Sequence, residues 1–295
     1  MKLLVTGTAG QVARSLVERG GRHDDIEIVA LGRPHLDLER PASVKAAIAA
    51  ANPDIVVSAA AYTAVDQAED EADLAYAVNV TGAQAVAAAA GSLGVPVIHL
   101  STDYVFAGEG DRPYDETDEP APAGVYGRTK LAGEIAVAEA NPRHLILRTA
   151  WVYSPFGKNF VKTMLSLAEK RPNVSVVSDQ WGNPTSALDI ADGILHLAKA
   201  AHAVPEAERY GIFHLAGTGN TNWSGFSRAI FEASRAAGGP FAEVLDIGTS
   251  DYPTKARRPP NSRLSTEKLE RIHGWKAPDW TRSCIEVVDR LVKDG

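Results

Sequence analysis

Tyr126 and Lys130 stand four residues apart in the stretch Val125-Tyr126-Gly127-Arg128-Thr129-Lys130. The stretch lies in a helical pattern over about 125–138, and residues four apart on a helix share a face. A free tyrosine holds its proton with a pKa of about 10. A neighbouring ammonium favours the phenolate and draws that pKa down toward the range useful for acid–base work. Tyr126 is then a candidate proton donor to a carbonyl oxygen, with Lys130 as the group that tunes it. Two amphipathic side chains on a solvated helix face would have the same spacing, so the rest of the chain must decide between these readings.

The elements that would position such a pair begin at the N-terminus. The apolar run Lys2–Thr6 reads as a buried strand. It is followed at once by Gly7-Thr8-Ala9-Gly10-Gln11-Val12-Ala13 and a helical pattern. Gly7 permits a tight turn, Gly10 lets backbone approach a pyrophosphate at the helix N-terminus, and Ala13 lets helix and strand pack closely. The spacing is GxxGxxA rather than GxGxxG, and it points to dinucleotide binding. A second strand, 26–31, ends at Gly32-Arg33, where an NAD-preferring site usually places an acid. Arg33 could instead meet a 2′-phosphate, which favours NADPH and leaves NADH open; a solvated loop arginine is the alternative.

Asp37-Leu38 precede a helix opening near Pro41, a residue suited to a first helical turn. Strand 54–58 runs into Ala59-Ala60-Ala61-Tyr62-Thr63, small residues that leave room for a ligand crossing the strand end. The acidic run 66–73 reads as a solvated helix face. Asn79, before an alanine-rich helix, could bond backbone or relay protons. Strand 95–100 leads into Ser101-Thr102-Asp103-Tyr104-Val105-Phe106. There the Thr102 hydroxyl could polarise a substrate carbonyl or bond local backbone. Strand 145–148 ends at Thr149-Ala150-Trp151, and a basic loop, 252–263, contains Arg257, Arg258 and Arg263. Guanidinium groups suit a diphosphate, although loop arginines are also commonly just solvated.

Strands and helices alternate through residue 151 and then less regularly. The expected fold class is α/β, a doubly wound parallel sheet of Rossmann-like type with a smaller, mostly C-terminal substrate-binding lobe. The dinucleotide-binding domain is expected at 1–150, with returning segments at about 172–212 and 255–270. The substrate-binding lobe takes about 151–171, 213–254 and 271–295. At 295 residues the chain can bury a substantial core. Its net charge of −7 argues against general nucleic-acid binding. The one cysteine, Cys284, cannot form an intrachain disulfide, and no apolar run is long enough to span a bilayer. A cytoplasmic protein with no membrane association is expected. The eight histidines are scattered without an HExxH or a Cys/His cluster, so no metal site is expected.

Taken together, the GxxGxxA turn, Thr102 after a later strand and YxxxK on the next helix resemble the extended short-chain dehydrogenase/reductase superfamily, within it the branch that reduces nucleotide-linked sugars. Ala59-Ala60-Ala61-Tyr62-Thr63-Ala64-Val65-Asp66, Ser101-Thr102-Asp103-Tyr104-Val105-Phe106 and Arg258-Pro259-Pro260-Asn261-Ser262-Arg263-Leu264 carry the more specific part of the likeness, which covers nearly the whole chain. The resemblance implies reduction of the C4 ketone of dTDP-4-dehydro-β-L-rhamnose to dTDP-L-rhamnose with NADPH or NADH. It implies that Gly10, Gln11 and Val12 line the pyrophosphate, Asp37 and Leu38 flank the adenine side, and Ala61, Tyr62 and Thr63 follow the cofactor along the sheet edge. Tyr126 would protonate the C4 oxygen, and Lys130 would hold the nicotinamide ribose and depress the tyrosine pKa. Thr102 and Asp103 would contact the sugar, Trp151 the substrate, and Arg258 the diphosphate. Arg14-Ser15 stand where some members place an acid for a magnesium-bridged dimer, so no such bridge is expected and homodimerisation is left open. A 4-epimerase, a 4,6-dehydratase, and a non-catalytic regulatory subunit resembling that of methionine adenosyltransferase are the competing readings.

Overall fold

Along β1 (Lys2–Thr6) successive side chains go to opposite sides, as in any strand. Leu3 and Val5 enter one apolar core and Leu4 another. In the computed structural model, which describes residues 1–203 and 207–294, β1 belongs to a six-stranded sheet. The others are β2 (Glu27–Leu31), β3 (Ile55–Ser58), β4 (Val97–Thr102), β5 (His144–Thr149) and β10 (Gly211–His214), in the order β10-β5-β4-β3-β1-β2. Every neighbouring pair is parallel. The chain steps outward from β1 to β2, then returns past β1 to β3. That reversal opens a crevice at the carboxyl ends of β1 and β3, where ligands of such sheets bind.

Helices cover both faces, because both faces are apolar. α1 (Gln11–Gly20) and α7 (Ala187–Ala203) pack on the side of Leu3 and Val5. α2 (Pro41–Ala51), α4 (Ala83–Ser92) and α5 (Val125–Ala140) pack on the side of Leu4. α3 (Ala72–Tyr76) enters α4 through a π-helical turn, Ala77–Gly82. A further core forms around α6 (Phe160–Ala168), α8 (Trp223–Ala236) and α10 (Trp280–Asp294), where Phe226, Ile230, Phe231 and Val287 are fully buried. Burying each such side chain contributes roughly 1.5–3 kcal/mol.

The remaining strands are short. β7 (Asn173–Val177) pairs in parallel with β12 (Glu243–Ile247), and β6 (Val152–Tyr153) with β9 (Thr185–Ser186). β8 (Trp181–Gly182) lies between β11 (Thr221–Asn222) and β13 (Asn261–Ser262), and α9 (Glu267–His273) follows β13. Ion pairs tie α10 to α1: Arg290 to Glu18 at 2.8 Å and Glu286 to Arg19 at 3.2 Å. Among the described residues no helix is long and apolar enough to cross a membrane, and no group of three or more His, Cys, Asp or Glu side chains could hold a metal ion.

Candidate active site

The crevice at the strand ends is a cavity of about 1040 Å³. Gly7, Gly10, Gln11 and Val12 line it, as do Arg33, Asp37, Leu38, Ala61, Tyr62 and Thr63. So do Thr102, Asp103, Tyr126, Lys130 and Trp151. The structure thus brings all of these to one cavity, whereas Asn79, Arg257, Arg258 and Arg263 are not among its lining residues. A second cavity of about 420 Å³, lined by residues of α8 and α10, contains none of them.

The glycine turn at the end of β1 forms part of the wall of the larger cavity. Gly7 has φ +92°, a conformation that favours glycine, and a Cβ there would meet that of Ala60 at 3.4 Å. Thr6 Oγ1 accepts hydrogen bonds from the N–H groups of Ala59 and Ala60, each at 3.0 Å, which pins β1 to the end of β3. Gly10 is the N-cap of α1, with no capping side chain and no acid in the first turn, and a Cβ there would stand in open space. An unmet helix N-terminus beneath free volume fits the diphosphate of a dinucleotide. The Gln11 side chain is held by Ser154, whose Oγ donates to its Oε1 at 2.8 Å, leaving its backbone to serve the turn. Arg33 is exposed and pairs with Glu39 at 3.4 Å.

Thr102 closes β4, and Tyr126 stands in the first turn of α5. The turn Asp103–Val105 brings them together: the Tyr104 ring meets that of Tyr126 edge-on, with centroids 5.5 Å apart. Thr102 Oγ1 donates to Asp103 Oδ1 at 2.9 Å and accepts from Tyr104 N–H at 3.3 Å. Burial raises the Asp103 carboxyl to about 6, against its hydrogen bonds with Ser262 and Thr102.

The tyrosine's protonation differs from the sequence expectation. Burial raises the Tyr126 pKa above its ordinary value; a hydrogen bond with Thr102 opposes this, and the Asp103 charge adds to it. Lys130 does not lower it here, and its ammonium is engaged by a strand-end carbonyl. Lys130 Nζ donates to the Leu100 carbonyl at 2.7 Å and lies 3.4 Å from His99 Nε2. Burial brings the Lys130 ammonium down to about 8, with Glu134 one turn away opposing the change. His99, buried beside that ammonium, has its pKa held well below the usual histidine range.

The cavity wall is held by contacts that no local pattern announces. Asn79 accepts from Tyr62 N–H at 2.9 Å and donates to the Tyr62 carbonyl at 3.1 Å and to Thr129 at 3.2 Å. These bonds tie the Tyr62 backbone to Thr129 of α5. The acidic run is not a solvated face: Glu69 accepts from Val125 N–H at 2.8 Å, Glu71 accepts from the Tyr62 hydroxyl at 2.8 Å, and Asp66 binds Arg258. Trp151 sits at φ +48°, an uncommon conformation for a bulky residue. Its indole stacks on Trp223 with centroids 3.6 Å apart. A Cβ at residue 182 would lie 2.4 Å from that indole, so glycine is required there.

Sequence reasoning missed Leu36, Tyr104, Gly157, Lys158 and Asn159 as lining residues. Gly157, at φ +62°, and Asn159, which caps α6, carried a turn signal. Nothing in that signal says which cleft the turn enters.

Comparison with known proteins places these features in context. A family model described as the RmlD substrate binding domain matches residues 1–293. A dTDP-4-dehydrorhamnose reductase of Sinorhizobium fredii is 50% identical over 295 residues, which covers 100% of this chain and 99% of the relative. The crystal structure of such a reductase from Clostridium acetobutylicum superposes with a TM-score of 0.91 at 36% identity, covering 99% of both chains. That of a Bacillus anthracis dTDP-4-dehydrorhamnose reductase in complex with NADP gives 0.89 at 34% identity, covering 100% of this chain and 99% of the other.

Proposed function

Because this chain belongs to the RmlD substrate binding domain family, we propose that it reduces the C4 ketone of dTDP-4-dehydro-β-L-rhamnose to give dTDP-L-rhamnose, with NADPH as the reductant. The observation that carries this reading is the single cavity lined by both the uncapped start of α1 and the Thr102–Tyr126–Lys130 group. When bound, the nicotinamide supplies the hydride. Everything else falls to the chain's own side chains.

Tyr126 is the proton donor in this reading. Its raised pKa means that the phenol is protonated at neutral pH and has a proton to give. A developing alkoxide is a far stronger base than a ketone, so transfer becomes favourable only as reduction proceeds. The Thr102 hydroxyl, which lines the same cavity, helps to polarise the same oxygen. The Lys130 ammonium, which lines the same cavity, serves the nicotinamide ribose. Asp103 and Trp151 contact the sugar. The Bacillus anthracis relative with NADP supports NADPH as the cofactor, and Arg33, which lines the cavity, is the side chain that would meet the 2′-phosphate.

The test is loss of NADPH absorbance on mixing the protein with the dTDP-linked 4-keto sugar. Stoichiometric consumption of NADPH is expected for a reductase, whereas an epimerase returns its cofactor unchanged. Wild-type protein that oxidises no NADPH above the blank would end this reading. A Tyr126→Phe variant with near-normal turnover would remove Tyr126 as the donor.

A further inference from the structure

We propose that Asp66 is a positioning residue for the substrate's diphosphate, acting through Arg258: it fixes the guanidinium with part of its donor set left free for an anion. This rests on the nucleotide-sugar reading above and adds to it a residue from a stretch of chain that reads locally as a solvated surface.

Asp66 makes two bonds into the basic loop 252–263. Its Oδ1 accepts from the Ala256 N–H at 3.0 Å, and its Oδ2 accepts from Arg258 Nη2. Lys255 pairs with Asp70 one turn further on. The same acidic turn reaches the catalytic helix, since Glu69 accepts from Val125 N–H at 2.8 Å. One short segment therefore fixes both the basic loop and the start of α5. The Arg258 charge also acts on the Tyr104 hydroxyl, and Tyr104 lines the cavity beside Tyr126.

The guanidinium is not saturated. Arg258 Nη1 is buried and has no hydrogen-bond partner. A buried donor left unmet is unfavourable, and an anionic oxygen would relieve it. A guanidinium offers five N–H donors in a rigid fork suited to phosphate oxygens, and one carboxylate contact does not exhaust them.

Asp66 has two opposing effects on an incoming anion. Its charge partly cancels that of Arg258, which weakens attraction. It also orders the loop before binding, so that the ligand does not have to. Asp66 is 46% exposed, so the screened charge effect is small. Ordering several loop residues is the larger effect. Preorganisation wins, and removing the Asp66 charge should weaken binding.

The experiment uses the full chain with thymidine diphosphate as probe, titrated calorimetrically into wild type, Asp66→Asn, Arg258→Gln and the double variant. Asp66→Asn should raise the dissociation constant about tenfold, and the double variant should bind no more weakly than Arg258→Gln alone, as for two residues acting through one contact. NADPH affinity should be unchanged in Asp66→Asn. In turnover the same variant should raise KM for the keto sugar with little change in kcat, and Asp66→Glu should recover part of the loss. Equal or tighter binding by Asp66→Asn, or losses that add fully in the double variant, would overturn the proposal. Wild type that binds no thymidine diphosphate would overturn the nucleotide-sugar reading together with it, whereas wild type that binds and an Asp66→Asn variant that binds equally well would overturn this proposal alone.

Discussion

Gly127 lies so close to the carbonyl oxygen of Tyr104 that a Cβ at residue 127 would be 2.2 Å from it. The first turn of α5 thus rests directly on the turn Asp103–Val105, and this is what brings Tyr126 to Thr102. Gly127→Ala should push the two apart. The expected result is a loss of turnover on the order of 100-fold, as for a displacement of about 1 Å at a reacting group. Overpacking of about 1–3 kcal/mol should be partly offset by alanine's helix preference of about 1 kcal/mol. Turnover and thermal unfolding of the same variant measure the two effects separately, and full activity in the Gly127→Ala protein would contradict the positioning role.

Lys130 should set an alkaline limit on activity. Its ammonium is brought down to about 8 by burial. If the charged form serves the cofactor, kcat/KM in the reduction direction falls as pH rises through about 8. Stability moves the opposite way. Between about 8 and the ordinary lysine value the unfolded chain binds the extra proton and the folded one does not, so unfolding free energy rises with pH in that window. A kcat/KM profile that stays flat through this region would show that the ammonium is not required.

Asp103 should penalise stability once ionised. Its folded pKa is about 6, raised by burial from the ordinary carboxylate range. The folded state therefore holds the proton more tightly, and stability falls as pH rises from about 4 to 6. The full penalty above that window is on the order of 2–3 kcal/mol. Asp103→Asn should flatten this part of the stability profile relative to wild type. Chemical denaturation across the window, with both proteins measured in parallel, reads the difference; superimposable slopes would show the carboxyl to be unperturbed.

The pair Glu134–Arg148 is buried on both sides and bidentate, at 2.7 Å and 2.9 Å, and Ser101 adds a third bond to the carboxylate. Replacing one partner strands the other charge in the core, so Glu134→Gln should cost about 3–5 kcal/mol in a denaturation experiment. Because Glu134 opposes the fall in the Lys130 pKa, the same variant should move the alkaline limit of activity to lower pH. A double variant with Arg148→Met should recover part of the stability but not the pH profile.

A good part of the site can be read from local spacing. The period of the apolar runs separates strands from helices, and two helix positions four apart must share a face, so Tyr126 and Lys130 could be paired without coordinates. Gly7 and Gly10 could be read as a turn and an open N-terminus because only residues within one turn decide those features. Trp151, by contrast, carried no signal of its left-handed backbone, which depends on Trp223 and Gly182 from elsewhere in the chain.

The amino-acid order alone thus determined the parallel α/β architecture, the glycine turn and the tyrosine–lysine spacing, since each follows from backbone geometry over a few residues. Only the folded molecule decided that the Tyr126 phenol is held protonated, that the Lys130 ammonium turns to the Leu100 carbonyl, and that Asp66 grips Arg258. Burial and ion pairing depend on neighbours that meet only in space. Asp66 and Arg258 are 192 positions apart, and no local pattern extends that far.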